Sequence, residues 1–264
     1  MAVRAMTGAA YVGLTLGAAW AGPFTTYLLF LPVAVIAAFE LHRLLWQEGH
    51  VLSAVWCMAA VAVVYTSASL GVFDGEEYRT ISVVIAFTML VLTVAWILKQ
   101  GSKDPAADLG GFLLQVVLVA LPFSAMINLF AHGAVVFVGF MVMLWTADTG
   151  AYLVGRSMGR TKLLPSVSPN KTIEGFIGGV IATIGVAYLF ARYQPALDTS
   201  TWIICGAIVA VTSTLGDLLE SSFKRARGVK DSGGILPGHG GMLDRFDGAL
   251  LAAPAMLLYL ALAH

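Results

Sequence analysis

Apolar runs dominate the chain, and polar residues punctuate them in short clusters. The runs fall near 6–22, 24–41, 51–72, 80–98, 109–129, 133–154, 174–192, 201–219 and 246–263. Each approaches the ~20 residues that an α-helix needs to cross a bilayer core. Backbone groups in lipid must bond within their own segment, so the runs predict helices. The short alternating strands of an outer-membrane barrel are absent. The expected fold is an all-α integral membrane protein, polytopic, with about nine transmembrane helices. Only Gly22-Pro23 separates the first two runs, which read either as one bent helix or as a re-entrant pair. Arg4, an apolar run and Ala19-Trp20-Ala21 also imitate a secretory leader. The many later runs favour a first helix that is retained.

Composition agrees with this pattern. Hydrophobic residues make up 59% of the chain and charged residues only 11%, where a soluble domain carries about a quarter charged. Net charge is zero, so nothing points to nucleic acid as a partner. Cys57 and Cys205 lie in apolar runs without metal or redox spacing and read as inert buried thiols. The distribution of bases is more telling. With a cytoplasmic N-terminus, Arg4, Arg43, Lys99, Lys103, Arg156, Arg160, Lys162, Lys171, Lys224, Arg225, Arg227, Lys230 and Arg245 all fall inside, and only Arg79 and Arg192 outside. The C-terminus is then external. Two regions follow: N-terminal helices over 1–130, and a C-terminal region over 131–264 with cytoplasmic loops 155–173 and 220–245.

Ionisable groups at membrane depth are costly and mark function by default. Glu40, beside His42 and Arg43, reads as an interfacial ion pair. Asp148 and Asp217 lie deeper. Ser213, Asp217, Glu220, Ser221 and Lys224 recur at three- and four-residue steps, so they share one helix face. Asp244 and Asp247 stand one turn apart at the start of the last helix. One aspartate would serve as a cap; two beside a glycine-rich loop suit a hard cation better. The stretch 217–247 holds five acids and five bases. Mixed signs suit phosphates held by bases and a metal held by carboxylates, whereas a lipid-anchoring or nucleic-acid patch would be one-signed. In loop 155–173, Ser168 reads as an N-cap with Pro169 at the first helical position and Lys171 beside the helix N-terminus.

Residues 221–247, "SSFKRARGVKDSGGILPGHGGMLDRFD", resemble the signature of the phosphatidate cytidylyltransferase (CDP-diacylglycerol synthase) family. Its fixed positions are met at Ser221, Lys224, Arg225, Lys230, Asp231, Gly233, Pro237, His239, Gly240, Gly241, Asp244, Arg245 and Asp247. The segment "ADTGAYLVGRSMGRTKLLPSVSPNKTIEG" is similar to a second motif of that family. The resemblance implies an Mg²⁺-dependent, usually dimeric enzyme of the inner (plasma) membrane, its site facing the cytoplasm. It would convert CTP and phosphatidic acid to CDP-diacylglycerol and pyrophosphate. It further implies metal ligation by Asp217, Asp244 and Asp247, phosphate binding by Lys224, Arg225, Lys230 and Arg245, and an orienting role for Asp231. Asp148, Ser168, Asn170, Lys171, Thr172, Glu174, Ser221, Gly240 and Gly241 are expected to contact substrate. His239 either handles a phosphate or serves the turn, and a monovalent cation beside Mg²⁺ stays open.

The chemistry suits these residues. A phosphomonoester is mostly a dianion at neutral pH, with a second pKa near ~6, so the lipid is its own nucleophile and no strong general base is needed. A CTP-dependent polyprenol or lipid kinase would need a similar nucleotide–metal site and differs in product. An ion-coupled transporter would instead place broken helices and acids at mid-membrane.

Overall fold

The computed structural model describes residues 2–46, 50–74, 76–235 and 240–263. Its helices are α1 (Ala2–Ala21), α2 (Pro23–Leu45), α3 (Ala54–Ser69), α4 (Gly71–Asp74), α5 (Glu76–Gln100), α6 (Pro105–Gln115), α7 (Leu121–Asn128), α8 (Ala134–Met158), α9 (Ile173–Tyr193), α10 (Thr199–Ala226), α11 (Leu243–Phe246) and α12 (Ala249–Ala263). A π-helical turn, Val116–Ala120, joins α6 to α7, and a 3₁₀ turn, Leu129–His132, follows α7. Two strands, β1 (Lys162–Leu164) and β2 (Ser168–Thr172), pair antiparallel between α8 and α9. Cα clustering separates two compact units, one of Met1–Asn128 with Asp231–Arg245, the other of Leu129–Lys230 with Phe246–His264.

Among the described residues, seven helical segments are long and apolar enough to cross a membrane, and α3 is a shorter apolar helix. The chain is thus a polytopic all-α membrane protein. At 1.5 Å per residue a helix of α3's length reaches about 24 Å, short of the ~30 Å hydrocarbon core.

In the first unit, α1 and α2 are separate helices. Gly22 breaks them at φ +114°, and Pro23 reopens the helix at its first position. Gly13 and Gly17 share a groove with Leu28 and Leu29, so the two helices fold back on each other. The Tyr65 hydroxyl donates to the Tyr27 carbonyl at 2.9 Å and the two rings stack, tying α3 to α2. Trp46, Leu52, Cys57, Ala60, Ile97 and Phe112 form a core cluster. Helix α5 presents Val83 and Phe87 at 69% and 65% exposure; such a face is stable against lipid rather than water.

The second unit is organised around a close crossing of α8 and α9. A methyl group added at Gly179 would lie 2.7 Å from the Ala147 carbonyl. Small residues of this kind let membrane helices approach backbone to backbone. Helix α10 packs on α9, and α12 packs on α10. The N-cap of α9 is Thr172, whose Oγ1 accepts from Gly175 N at 3.1 Å. The expectation that Ser168 caps this helix, with Pro169 in its first turn, is therefore corrected. A residue before proline favours extended backbone, and Ser168 opens strand β2 opposite Leu164.

Candidate functional site

A cleft of about 460 Å³ lies in the second unit. Helix α8 lines it with Asp148, Tyr152 and Arg156, spaced four residues apart and so on one helical stripe. The hairpin contributes Asn170, Lys171 and Thr172, and α10 contributes Thr214 and Asp217. Lys171 Nζ forms an ion pair with Asp217 Oδ2, both side chains about one-quarter exposed. Ser221, one turn on, donates from Oγ to Asp217 Oδ1 at 3.2 Å. At the next turn the buried pair Glu220–Lys224 closes a second ion pair along α10. The shared face read from spacing is therefore present, and two of its acids are met by lysines.

Asp247 reaches the same region from the break between α11 and α12. Its Oδ1 accepts from Gly248 N at 2.6 Å, and the charges of Asp217, Asp148 and Glu220 all act on it. Gly216 makes this approach possible: a methyl group there would stand 2.4 Å from the Asp247 carbonyl oxygen. The group holds four carboxylates and two ammonium ions, an excess of two negative charges before Arg156 is counted. Hard oxygen donors in excess fit a divalent cation. Among the described residues, however, no three His, Cys, Asp or Glu side chains stand together as a ligand set. The carboxylates fit such an ion in chemistry and charge.

Other expected site residues are placed elsewhere. Glu174 accepts backbone N–H groups of Arg160 at 3.0 Å and Thr161 at 3.1 Å, which clamps the hairpin base onto α9. Arg225 donates from Nε to the Val167 carbonyl at 3.2 Å and from Nη1 to the Val229 carbonyl at 2.8 Å. It straps the hairpin turn to the end of α10. Lys230 is exposed in the second unit, and Asp231 and Arg245 are exposed in the first. His239 lies outside the described residues.

In the first unit, Ser232 and the segment Gly241–Leu243 bond two carboxylates. Asp244 Oδ2 accepts from Ser232 N at 3.0 Å, Ser232 Oγ at 3.1 Å and Gly241 N at 2.7 Å. Glu40, on α2, accepts from Met242 N at 3.0 Å, Leu243 N at 2.8 Å and Ser232 Oγ at 2.9 Å. Ser232 has one hydroxyl proton, shared between the two acids. Gly241 leaves room: a methyl group there would sit 2.4 Å from Glu40 Oε2. Glu40 is 2% exposed, so its reading as an interfacial ion pair with its neighbours is corrected. The available signal was a carboxylate in an apolar helix, set against a distant glycine-rich segment with many free N–H groups.

The model of the cytidylyltransferase family matches residues 2–263. A phosphatidate cytidylyltransferase of Bacillus subtilis strain 168 is 33% identical over 268 residues, covering 99% of this chain and 98% of its own length. One from Staphylococcus aureus strain COL is 40% identical over 178 residues, 67% of each chain. One from Staphylococcus epidermidis is 36% identical over 188 residues, 70% of this chain and 72% of its own.

Proposed function

The chain belongs to the cytidylyltransferase family, and from that premise we propose that it transfers CMP from CTP to phosphatidic acid, releasing pyrophosphate. The observation that carries this is the cleft between α8, the hairpin and α10, which is lined by Asp148, Arg156 and the Lys171–Asp217 ion pair, with the buried Glu220–Lys224 pair further along α10. A site that must hold two polyanions and a divalent ion needs both signs at close quarters.

The lipid phosphate attacks the α-phosphorus of CTP, a new P–O bond forms, and the bond to the β-phosphate oxygen breaks. The attacking oxygen is already anionic, so the residues position and neutralise rather than remove a proton. Lys171 and Arg156 line the cleft where phosphate oxygens would lie. Lys224 lies along the α10 face that carries Asp217. Arg225 keeps donors beyond the two it spends on Val167 and Val229, since a guanidinium has five. Asp217, Asp244 and Asp247 are the carboxylates we assign to Mg²⁺, an assignment that rests on the signature and on oxygen-donor chemistry. Mg²⁺, when bound, supplies Lewis-acid neutralisation of the reacting phosphate oxygens. Thr172 and Glu174 act indirectly, holding the hairpin against α9.

The enzyme then works as a homodimer in the inner membrane with its cleft toward the cytoplasm, where CTP is found. The excess of Lys and Arg on that side supports this orientation. Purified protein in detergent, given CTP, phosphatidic acid and Mg²⁺, should form a liponucleotide and pyrophosphate in equal amounts. Phosphorylated lipid with CDP as co-product would assign it to the kinases. Ion flux without nucleotide chemistry would make it a transporter.

A further inference from the structure

Glu40 sits on α2, 192 residues before Ser232 in sequence, yet three of the signature's donors converge on its carboxylate. Two are consecutive backbone N–H groups, Met242 and Leu243, at the point where α11 begins. These are helix-terminal donors without intrahelical acceptors, and a buried acceptor satisfies them. The third, Ser232 Oγ, also touches Asp244 Oδ2, and Ser232 N and Gly241 N bond that same oxygen. Glu40 and Asp244 thus grip one loop from two sides, with Ser232 as the shared clasp. A carboxylate buried in an apolar helix is costly unless several donors meet it, and glycine at position 241 leaves the space for them.

We infer that Glu40 is a positioning residue: its carboxylate fixes Ser232 and the Gly241–Leu243 segment and thereby the orientation of Asp244. The inference rests on the reading of Asp244 as a metal-site carboxylate. Glutamine at position 40 keeps the size but turns one oxygen into an N–H donor. Whichever way the amide faces, it meets at least one backbone N–H that needs an acceptor. The loop then loosens while α2 stays packed.

The test compares wild type, Glu40→Gln and Ser232→Ala in detergent by three readouts. Amide hydrogen exchange over 240–245 should rise at least about tenfold in Glu40→Gln, with exchange elsewhere unchanged. The turnover rate should fall about 10- to 100-fold, as for a misplaced catalytic group, and half-maximal activity should require several-fold more Mg²⁺. Ser232→Ala, which buries no new donor, should shift Mg²⁺ dependence in the same direction by a smaller factor. Should Glu40→Gln not fold, Ser232→Ala decides alone, and wild-type exchange and Mg²⁺ dependence in it overturn the inference. Activity that falls only with the folded fraction, at unchanged Mg²⁺ dependence, also overturns it, because Glu40 is then merely structural. If wild type itself forms no liponucleotide while Glu40→Gln loses exchange protection, the proposed function fails and the loop contact stands.

Discussion

Gly216 is where one methyl group tests the geometry of the cleft. A Cβ at this position would lie 2.4 Å from the Asp247 carbonyl oxygen and 3.3 Å from that of Gly248. Ordinary contact begins at about 3.4 Å, so in Gly216→Ala the two backbones must part by roughly 1 Å. Both partners are main chain and cannot swing aside. Overpacking of this kind costs about 1–3 kcal/mol of stability. The larger effect falls on chemistry, since Asp217 follows Gly216 directly and Asp247 is displaced from it. A misplacement of about 1 Å lowers catalysis on the order of 100-fold. The assay is liponucleotide formation by folded, purified protein, with Gly185→Ala as control. Gly185 lies on α9 with nothing within 4 Å of its added methyl, and its substitution should leave the rate unchanged. A Gly216→Ala enzyme within threefold of wild type would refute the claim that this close approach sets the site.

Three other outcomes follow from the same contacts. Lys171→Gln removes the cation that pairs with Asp217; loss of a charged hydrogen-bond partner costs about 1.5–3 kcal/mol, so kcat/KM for CTP should fall about 10- to 100-fold, read by initial rates at varied CTP. Asp217→Asn should lower turnover by more than about 100-fold while thermal melting in detergent shows a folded protein; near-normal turnover would remove Asp217 from the metal assignment. Asp198, which caps α10, is held below the usual aspartate range by hydrogen bonds from the Ser200 hydroxyl first and then from Thr201. Its folded pKa is depressed, so its charge stabilises the fold above the ordinary value of 3.8 and ceases to do so as pH falls toward the folded value. The melting-temperature gap between wild type and Asp198→Asn should therefore shrink as pH drops below about 4; a gap that widens contradicts this sign.

The helices were legible because a bilayer demands long apolar runs, and those runs need no tertiary information to be seen. The α10 face was legible for the same reason: Asp217, Ser221 and Lys224 follow helical spacing, and the structure keeps them on one face. Pairing across elements was not. Nothing local links Lys171 to Asp217, since a basic loop and an intramembrane acid each have many possible partners. Arg225, grouped with the phosphate ligands by its place in the signature, bonds the carbonyl of Val229 four residues on and that of Val167, which only the fold brings near. The start of α9 was missed because Ser168 and Thr172 are both acceptable caps, and pairing of β2 with β1 chooses the second. Glu40 was misread because its donors lie two hundred residues away in sequence.

The account stands most directly on which phosphorus ends up on the lipid. CTP labelled at its α-phosphorus, incubated with phosphatidic acid, Mg²⁺ and the purified enzyme, should carry its label into the lipid fraction, while label at the γ-phosphorus should leave as pyrophosphate. Label from the γ-phosphorus in the lipid, with α-label remaining in soluble CDP, would contradict it.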